Sequence, residues 1–232
     1  MATQTVCFTP VLGKRIRMIA LDQCGNLPVS GTQNAMVCTA GFVSVKLSAQ
    51  VENGADIITK KADGSLCVNT KVADSFKRFD VEMEFCGVDP GALAMTTNAQ
   101  VYQDYLGNSA GIVVPEGQIT TKFSLELWTG VQGQCATGAS VASGYMLLPL
   151  VNAGIIGDIE VNGEKEISFM MKGAYTIGAN NWGVGPYSVI SGAGGAASKL
   201  PSALLSNDHM LLMQTNVAPP PAACGLQAYN PS

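Results

Sequence analysis

A two-residue alternation of apolar and charged side chains constrains this chain most. From Arg78 to Phe85 every even position is charged (Arg78, Asp80, Glu82, Glu84) and every odd one apolar (Phe79, Val81, Met83, Phe85). A helix would scatter these charges around its girth. A strand sends them all to one face. Phe42–Val51 repeats the pattern, with Val43, Val45, Leu47, Ala49 and Val51 opposite Ser44, Lys46, Ser48 and Gln50. So does Ile119–Leu127, where Thr120, Lys122, Ser124 and Glu126 form the polar face, and so do Ile167, Phe169 and Met171. Strands with one dry and one polar face belong to antiparallel sheets.

Turn chemistry agrees. Asn53-Gly54, Asp63-Gly64 and Asn162-Gly163 each sit between strand-like runs and read as hairpin turns. Asp89-Pro90 before Gly-Ala-Leu-Ala-Met reads as a capped helix start, running to about Thr96. Lys71–Phe76 is a second candidate for a helical turn, and Leu211–Met213 for a last strand. The expectation is a mainly β chain: an antiparallel β-sandwich or barrel with one short flanking helix and long loops or arms. Residues 1–190 are expected to form the β domain, including an N-terminal arm. The low-complexity stretch opening residues 191–216 reads as a flexible loop or arm with a possible last strand. The Pro-rich residues 217–232 read as a disordered tail.

Charge is scarce. Asp, Glu, Lys and Arg make up 13% of 232 residues, against about 25% in an ordinary globular domain. Residues 127–157 contain none, and residues 173–206 only Lys199. Either these runs are core strands with Gly/Ser loops, or they form subunit interfaces. The net charge of −4 and the lack of a basic face argue against tight nucleic-acid binding. The run Tyr145–Gly157, broken by Pro149 and Asn152, is too short to span a membrane. Seven Cys without C-x-x-C spacing or a leader-like N-terminus point to reduced thiols in a protein made in the cytosol, several of them small core residues.

Motifs for chemistry fail on context. Gly107–Gly111 matches G-x-S-x-G around Ser109, but Ile112-Val-Val-Pro115 follows where a nucleophile elbow needs a helix. Gly192–Ala197 loosely matches a dinucleotide loop, but Pro201 interrupts the helix that should come next. His209 is the chain's single His and lacks ligand partners at metal spacing. No catalytic, cofactor or metal residue is therefore assigned, and the chain is read as a non-enzyme.

Several stretches together resemble the major tail tube proteins of long-tailed (siphovirus) phages that infect actinobacteria. They include MIALDQCG (18–25), GFVSV (41–45), FDVEMEFCGVDP (79–90), FSLELWTG (123–130) and GAYTIGANNWGVGPY (173–187). The likeness covers roughly residues 12–190. It implies a β-sandwich of the tail tube type that forms six-membered rings, stacked into a hollow tube in the virion tail after synthesis in the host cytoplasm. It implies contacts with other copies of the chain, with the tape measure protein in the lumen and with tail terminator and distal tail proteins. DNA would pass through without specific binding. Under this resemblance Asp80, Glu82 and Glu84 are candidate lumen-facing acids, with Glu126, Asp158 and Glu160 as further ones, because acidic walls repel phosphate. The alternative places that face on the tube's exterior. Two rival classes stay open: a β-sandwich carbohydrate- or ligand-binding module using Trp128, Trp182 and Tyr187, and a hydrolase built on Ser109 and His209.

Overall fold

A computed structural model describes residues 9–86, 89–131, 142–159 and 168–231. In chain order the elements are β1 (Pro10–Leu21), β2 (Met36–Thr39), β3 (Phe42–Glu52), β4 (Asp56–Lys60), β5 (Leu66–Lys71), β6 (Ser75–Cys86) and α1 (Pro90–Thr96). Then follow β7 (Gln100–Gln103), β8 (Ser109–Val113), β9 (Lys122–Val131), β10 (Ser143–Asn152), β11 (Ile155–Ile156) and β12 (Ser168–Thr176). The short β13 (Ile190–Ser191) and β14 (Ala197–Ser198) precede β15 (Leu211–Thr215). The fold is mainly β, with antiparallel sheets and one short α-helix among the described residues.

Nine strands form one sheet in the order β2-β1-β9-β10-β12-β6-β3, with β11 added to β12 and β15 to β10. β10 is the corner. Its first half pairs with β15, and Val151 and Asn152 pair with β12. Its ladder to β9 is interrupted between Leu148 and Val151. Pro149 sits in that gap, and a residue without an N–H fits a break in the ladder.

Two cores result, one on each face of the β1–β9–β10 layer. Ile16, Met18, Phe123 and Leu125 point into the first, where Val81, Met83 and Met171 meet them and Leu93 and Met95 of α1 pack alongside. Asp89 caps α1 by accepting from Gly91 N (2.9 Å) and Ala92 N (3.2 Å). Ile19, Trp128, Tyr145 and Leu147 point the other way, into a second core closed by Trp182, Tyr187, Leu200 and Tyr229. The period of two sends successive residues of one strand into different cores.

That second core corrects three expectations. The stretch expected as a flexible arm is docked: Leu200 is buried, its N donates to Val184 O (3.3 Å), and Leu204 N donates to Gly183 O (2.9 Å). The expected disordered tail runs along the sheet's edge. Ala223 N donates to Cys38 O (3.0 Å), Gln227 N to Met36 O (2.7 Å) and Tyr229 N to Thr32 O (2.8 Å), with Tyr229 buried. The boundary at residue 190 is likewise not a division, since Ile19 and Tyr229 share a core. Sparse apolar residues anchor these segments despite their Gly- and Pro-rich composition.

Turns also sort differently. Asp63-Gly64 does close the β4–β5 hairpin, with Gly64 at φ +85°. Asn53-Gly54 is no hairpin turn, because β3 pairs with β6 and β4 with β5. It is the neck where one ribbon passes into another. Asn162-Gly163 lies outside the described residues. Lys71–Phe76 holds strand ends rather than a helical turn.

Candidate functional site

The β3–β6–β12 ribbon carries the alternation found in the sequence. Val81, Met83 and Phe85 are buried, while Asp80, Glu82 and Glu84 lie half-exposed on the opposite face. The register places Ser48 beside Asp80, Lys46 beside Glu82 and Ser44 beside Glu84. Lys46 Nζ meets Glu82 Oε2 at 3.0 Å, and Gln50 Nε2 donates to Asp80 Oδ2 at 2.8 Å. Arg78 Nε donates to Asp80 Oδ1 at 3.1 Å while its guanidinium lies 4.6 Å from the Tyr175 ring centre. Asp158 pairs with Lys172 at 2.8 Å. The Lys172 ammonium holds the Asp158 carboxyl below its ordinary range, and the carboxylate raises the amine in turn. Lys46, Arg78 and Lys172 thus stand among Asp80, Glu82, Glu84 and Asp158. The face is mixed in charge rather than uniformly acidic, which weakens its repulsion of phosphate.

Glu126 requires a correction. It is 1% exposed and lines no channel. Its carboxylate forms an ion pair with Arg17, itself 7% exposed at the side chain, and accepts a hydrogen bond from Tyr145 Oη (2.7 Å). Arg17 lies 3.4 Å from the Tyr187 ring centre and 5.2 Å from that of Trp128. Burial pulls the guanidinium's pKa down, but Glu126 beside it, with Tyr187 and Tyr145, carries it above the ordinary value. Burial first, then the charge and hydrogen bond of Glu126, push the Tyr145 phenol well up. Burial pushes Tyr187 up to about 12, against the opposing pull of Arg17. The alternation correctly put Glu126 opposite Leu125 and Leu127. It gave no sign that residues 177–229 would cover that face. Glu160 lies outside the described residues.

The feature that sequence reasoning underused is the β4–β5 hairpin. Every residue of both strands is exposed. Ile57, Ile58, Leu66 and Val68 are 49%, 57%, 54% and 41% exposed, on a two-stranded ribbon that pairs with no strand of the main sheet among the described residues. At the neck, Gly54 N donates to Asp74 Oδ1 (2.9 Å) and Val72 N to Ala55 O (3.0 Å). A Cβ on Gly54 would fall 1.8 Å from Val72 O, so only glycine fits there. Beside this arm, β3 is an edge strand: among the described residues no strand pairs with its outer side. Val43 and Val51 of β3 are more than half exposed, so the expected apolar face of Phe42–Val51 is covered only around Val45 and Leu47.

Other candidates disperse. Ser109 opens β8 and faces Gln103 across the β7–β8 ladder. His209 Nδ1 lies 2.7 Å from Thr176 Oγ1, with the Phe76 ring edge-on at 5.2 Å. The two do not share a set of contacts. Gly192–Ala197 forms the turn between β13 and β14. Trp128, Trp182 and Tyr187 are 2%, 5% and 6% exposed, inside the second core. Cys38 is buried as expected of a small core residue, whereas Cys67 and Cys86 are exposed. Among the described residues, no group of three or more His, Cys, Asp or Glu side chains could hold a metal ion, and no helix is long and apolar enough to cross a membrane.

No protein-family model matches this chain, and no curated protein matches it.

Proposed function

We propose that this chain is a major tail tube protein of a long-tailed phage, a structural subunit that stacks in rings to form the hollow conduit for DNA ejection. The exposed β4–β5 arm carries the reading. A two-stranded hairpin with no packed face is marginal in water, and one with Ile57, Ile58, Leu66 and Val68 exposed gains stability by burying them against another chain. The open edge of β3 offers backbone donors and acceptors to a neighbour in the same way. Ring closure satisfies such an edge within a plane, and a head-to-tail contact extends the assembly along an axis. The resemblance over residues 12–190 supplies the identity of that assembly. Asp80, Glu82, Glu84 and Asp158 remain its candidate lumen acids, with the tape measure protein and passing DNA as lumen contents.

Negative-stain microscopy of the concentrated protein tests this: rings or tubes are expected, and a permanently monomeric sample absent from phage particles defeats it. Charge reversal at Asp80, Glu82 and Glu84 tests the lumen assignment separately. Tubes should persist while DNA ejection slows, and unchanged ejection counts against the assignment. A carbohydrate-binding reading gains nothing from the geometry, because its three aromatic candidates are buried.

A further inference from the structure

The neck of the β4–β5 arm brings together three features that bear on one reaction. Asn53 precedes Gly54 there, and its exposed side-chain amide has no hydrogen-bond partner among the described residues. Gly54 carries no Cβ to crowd its backbone nitrogen. That nitrogen donates to Asp74 Oδ1 (2.9 Å), which Lys71 Nζ also meets at 3.3 Å. Comparable positions elsewhere are tethered at the side chain. Asn98 donates to Pro115 O (2.9 Å) and Asn108 to Asp104 Oδ2 (3.1 Å), while Asp63, before Gly64, accepts from Ser65 N (2.9 Å) and Ser65 Oγ (2.7 Å).

We infer that Asn53 is a self-modification site that closes to a succinimide and opens to isoaspartate and aspartate, and that Asp74 governs its rate. The Gly54 nitrogen attacks Cγ of Asn53 within the same dipeptide, so the two reactants are already paired. Hydroxide removes the Gly54 proton, the N–Cγ bond forms and the Cγ–Nδ2 bond breaks. The amide leaves as ammonia with a proton from water, which restores the hydroxide. Water then opens the imide at either carbonyl. One water is consumed, one ammonia is released, and nothing is oxidised or reduced. Asp74 restrains the first step twice. Its hydrogen bond must break before the nitrogen can turn onto Cγ, and its charge disfavours a second anion beside it. Isoaspartate adds a methylene to the main chain where even a Cβ on Gly54 would fall 1.8 Å from Val72 O. The neck takes up that extra link only by re-aiming the arm.

The full chain, Asp74→Ala and Asn53→Gln are held folded at pH 8 over several weeks. Their tryptic peptide 47–60 is then assayed for isoaspartate by enzymatic methylation and mass spectrometry. The Asp74 side chain is 43% exposed, and circular dichroism checks that its truncation leaves the fold in place. Isoaspartate is expected to accumulate in the parent, to be absent from Asn53→Gln, and to form about tenfold faster in Asp74→Ala, the factor that one charge-assisted hydrogen bond supplies. In denaturing urea the parent and Asp74→Ala should convert at the same rate, because the restraint belongs to the fold. A peptide free of isoaspartate in every sample overturns the inference. So does a folded Asp74→Ala that converts no faster than the parent, or a rate difference that persists in urea.

Discussion

The buried pair of Arg17 and Glu126 gives the sharpest test of the fold. The two side chains are 7% and 1% exposed, so neither charge has bulk water to fall back on. Replacing Glu126 with Leu strands the guanidinium between the Tyr187 and Trp128 rings and removes the acceptor for Tyr145 Oη. Breaking a buried pair from one side costs about 3–5 kcal/mol, and the orphaned hydroxyl's share falls within that range. Arg17→Met should cost a similar amount, since it leaves a buried carboxylate with only the tyrosine. Removing both charges in Arg17→Met/Glu126→Leu relieves the desolvation of both groups. It forfeits only the ring stacking, about 1–2 kcal/mol, and the tyrosine's acceptor. The double variant should therefore lie about 1–3 kcal/mol below the parent, far less than the summed singles. Urea unfolding at pH 7 of unassembled subunits, followed by tryptophan fluorescence, reads this directly, because Trp128 and Trp182 both sit in the second core. A Glu126→Leu variant within about 1 kcal/mol of the parent, or a double variant equal to the sum of the singles, refutes the account of that core.

Three further outcomes are expected. Tyr229→Ala empties a buried site 3% exposed in the second core; at about 3 kcal/mol for a large aromatic truncation it should lower Tm by roughly 6–12 °C in calorimetry. Burial holds the His209 imidazole below its ordinary pKa, against the opposing charge of Asp208. The neutral ring is thus favoured in the folded chain, so its contribution is complete above about pH 6.5 and is lost as pH falls through the lower folded value. Urea midpoints of the parent and His209→Gln should therefore converge on acidification from pH 8 to 5, and a constant gap would contradict this. Gly54→Ala drives a Cβ into Val72 O at the arm's neck. It should abolish tubes seen by microscopy while leaving the urea midpoint of the main sheet unchanged, and a midpoint drop as large as that of Tyr229→Ala would show that the arm is not energetically separate.

Local periodicity made the strands, the capped helix at Asp89-Pro90 and the Asp63-Gly64 hairpin legible in the sequence, because each depends on neighbours within a few residues. What it could not reveal was how many layers cover each face. Alternation around Ile119–Leu127 assigned Phe123, Leu125 and Leu127 to a core correctly, and assigned Ser124 and Glu126 to the polar side of the strand. Whether that side meets water depends on residues more than fifty positions later, where Trp182, Tyr187 and Tyr229 are spaced without helical or strand period. A strand that places an Arg opposite an acid across the ladder, as Arg17 stands opposite Glu126, is the one signal that would have suggested a covered face. It is visible only once the pairing is known.

The same layering changes what the scarcity of charge means. Residues 143–152 form β10, whose two faces point into two cores of the same subunit, and residues 177–206 supply much of the second. Both charge-poor runs are thus explained to a large extent by burial within one chain, and low charge alone no longer argues for an interface. Under the proposed function, assembly falls instead to segments with ordinary charge. The β4–β5 arm holds Asp56, Lys60, Lys61, Asp63 and Lys71, yet exposes four large aliphatic residues, Ile57, Ile58, Leu66 and Val68. Charges at its tip and base keep the free subunit soluble, and the aliphatic residues between them remain unburied. Under the proposed tail tube function, a segment polar enough to stay in solution and apolar enough to gain by leaving it suits a subunit stored as a monomer and used as a polymer.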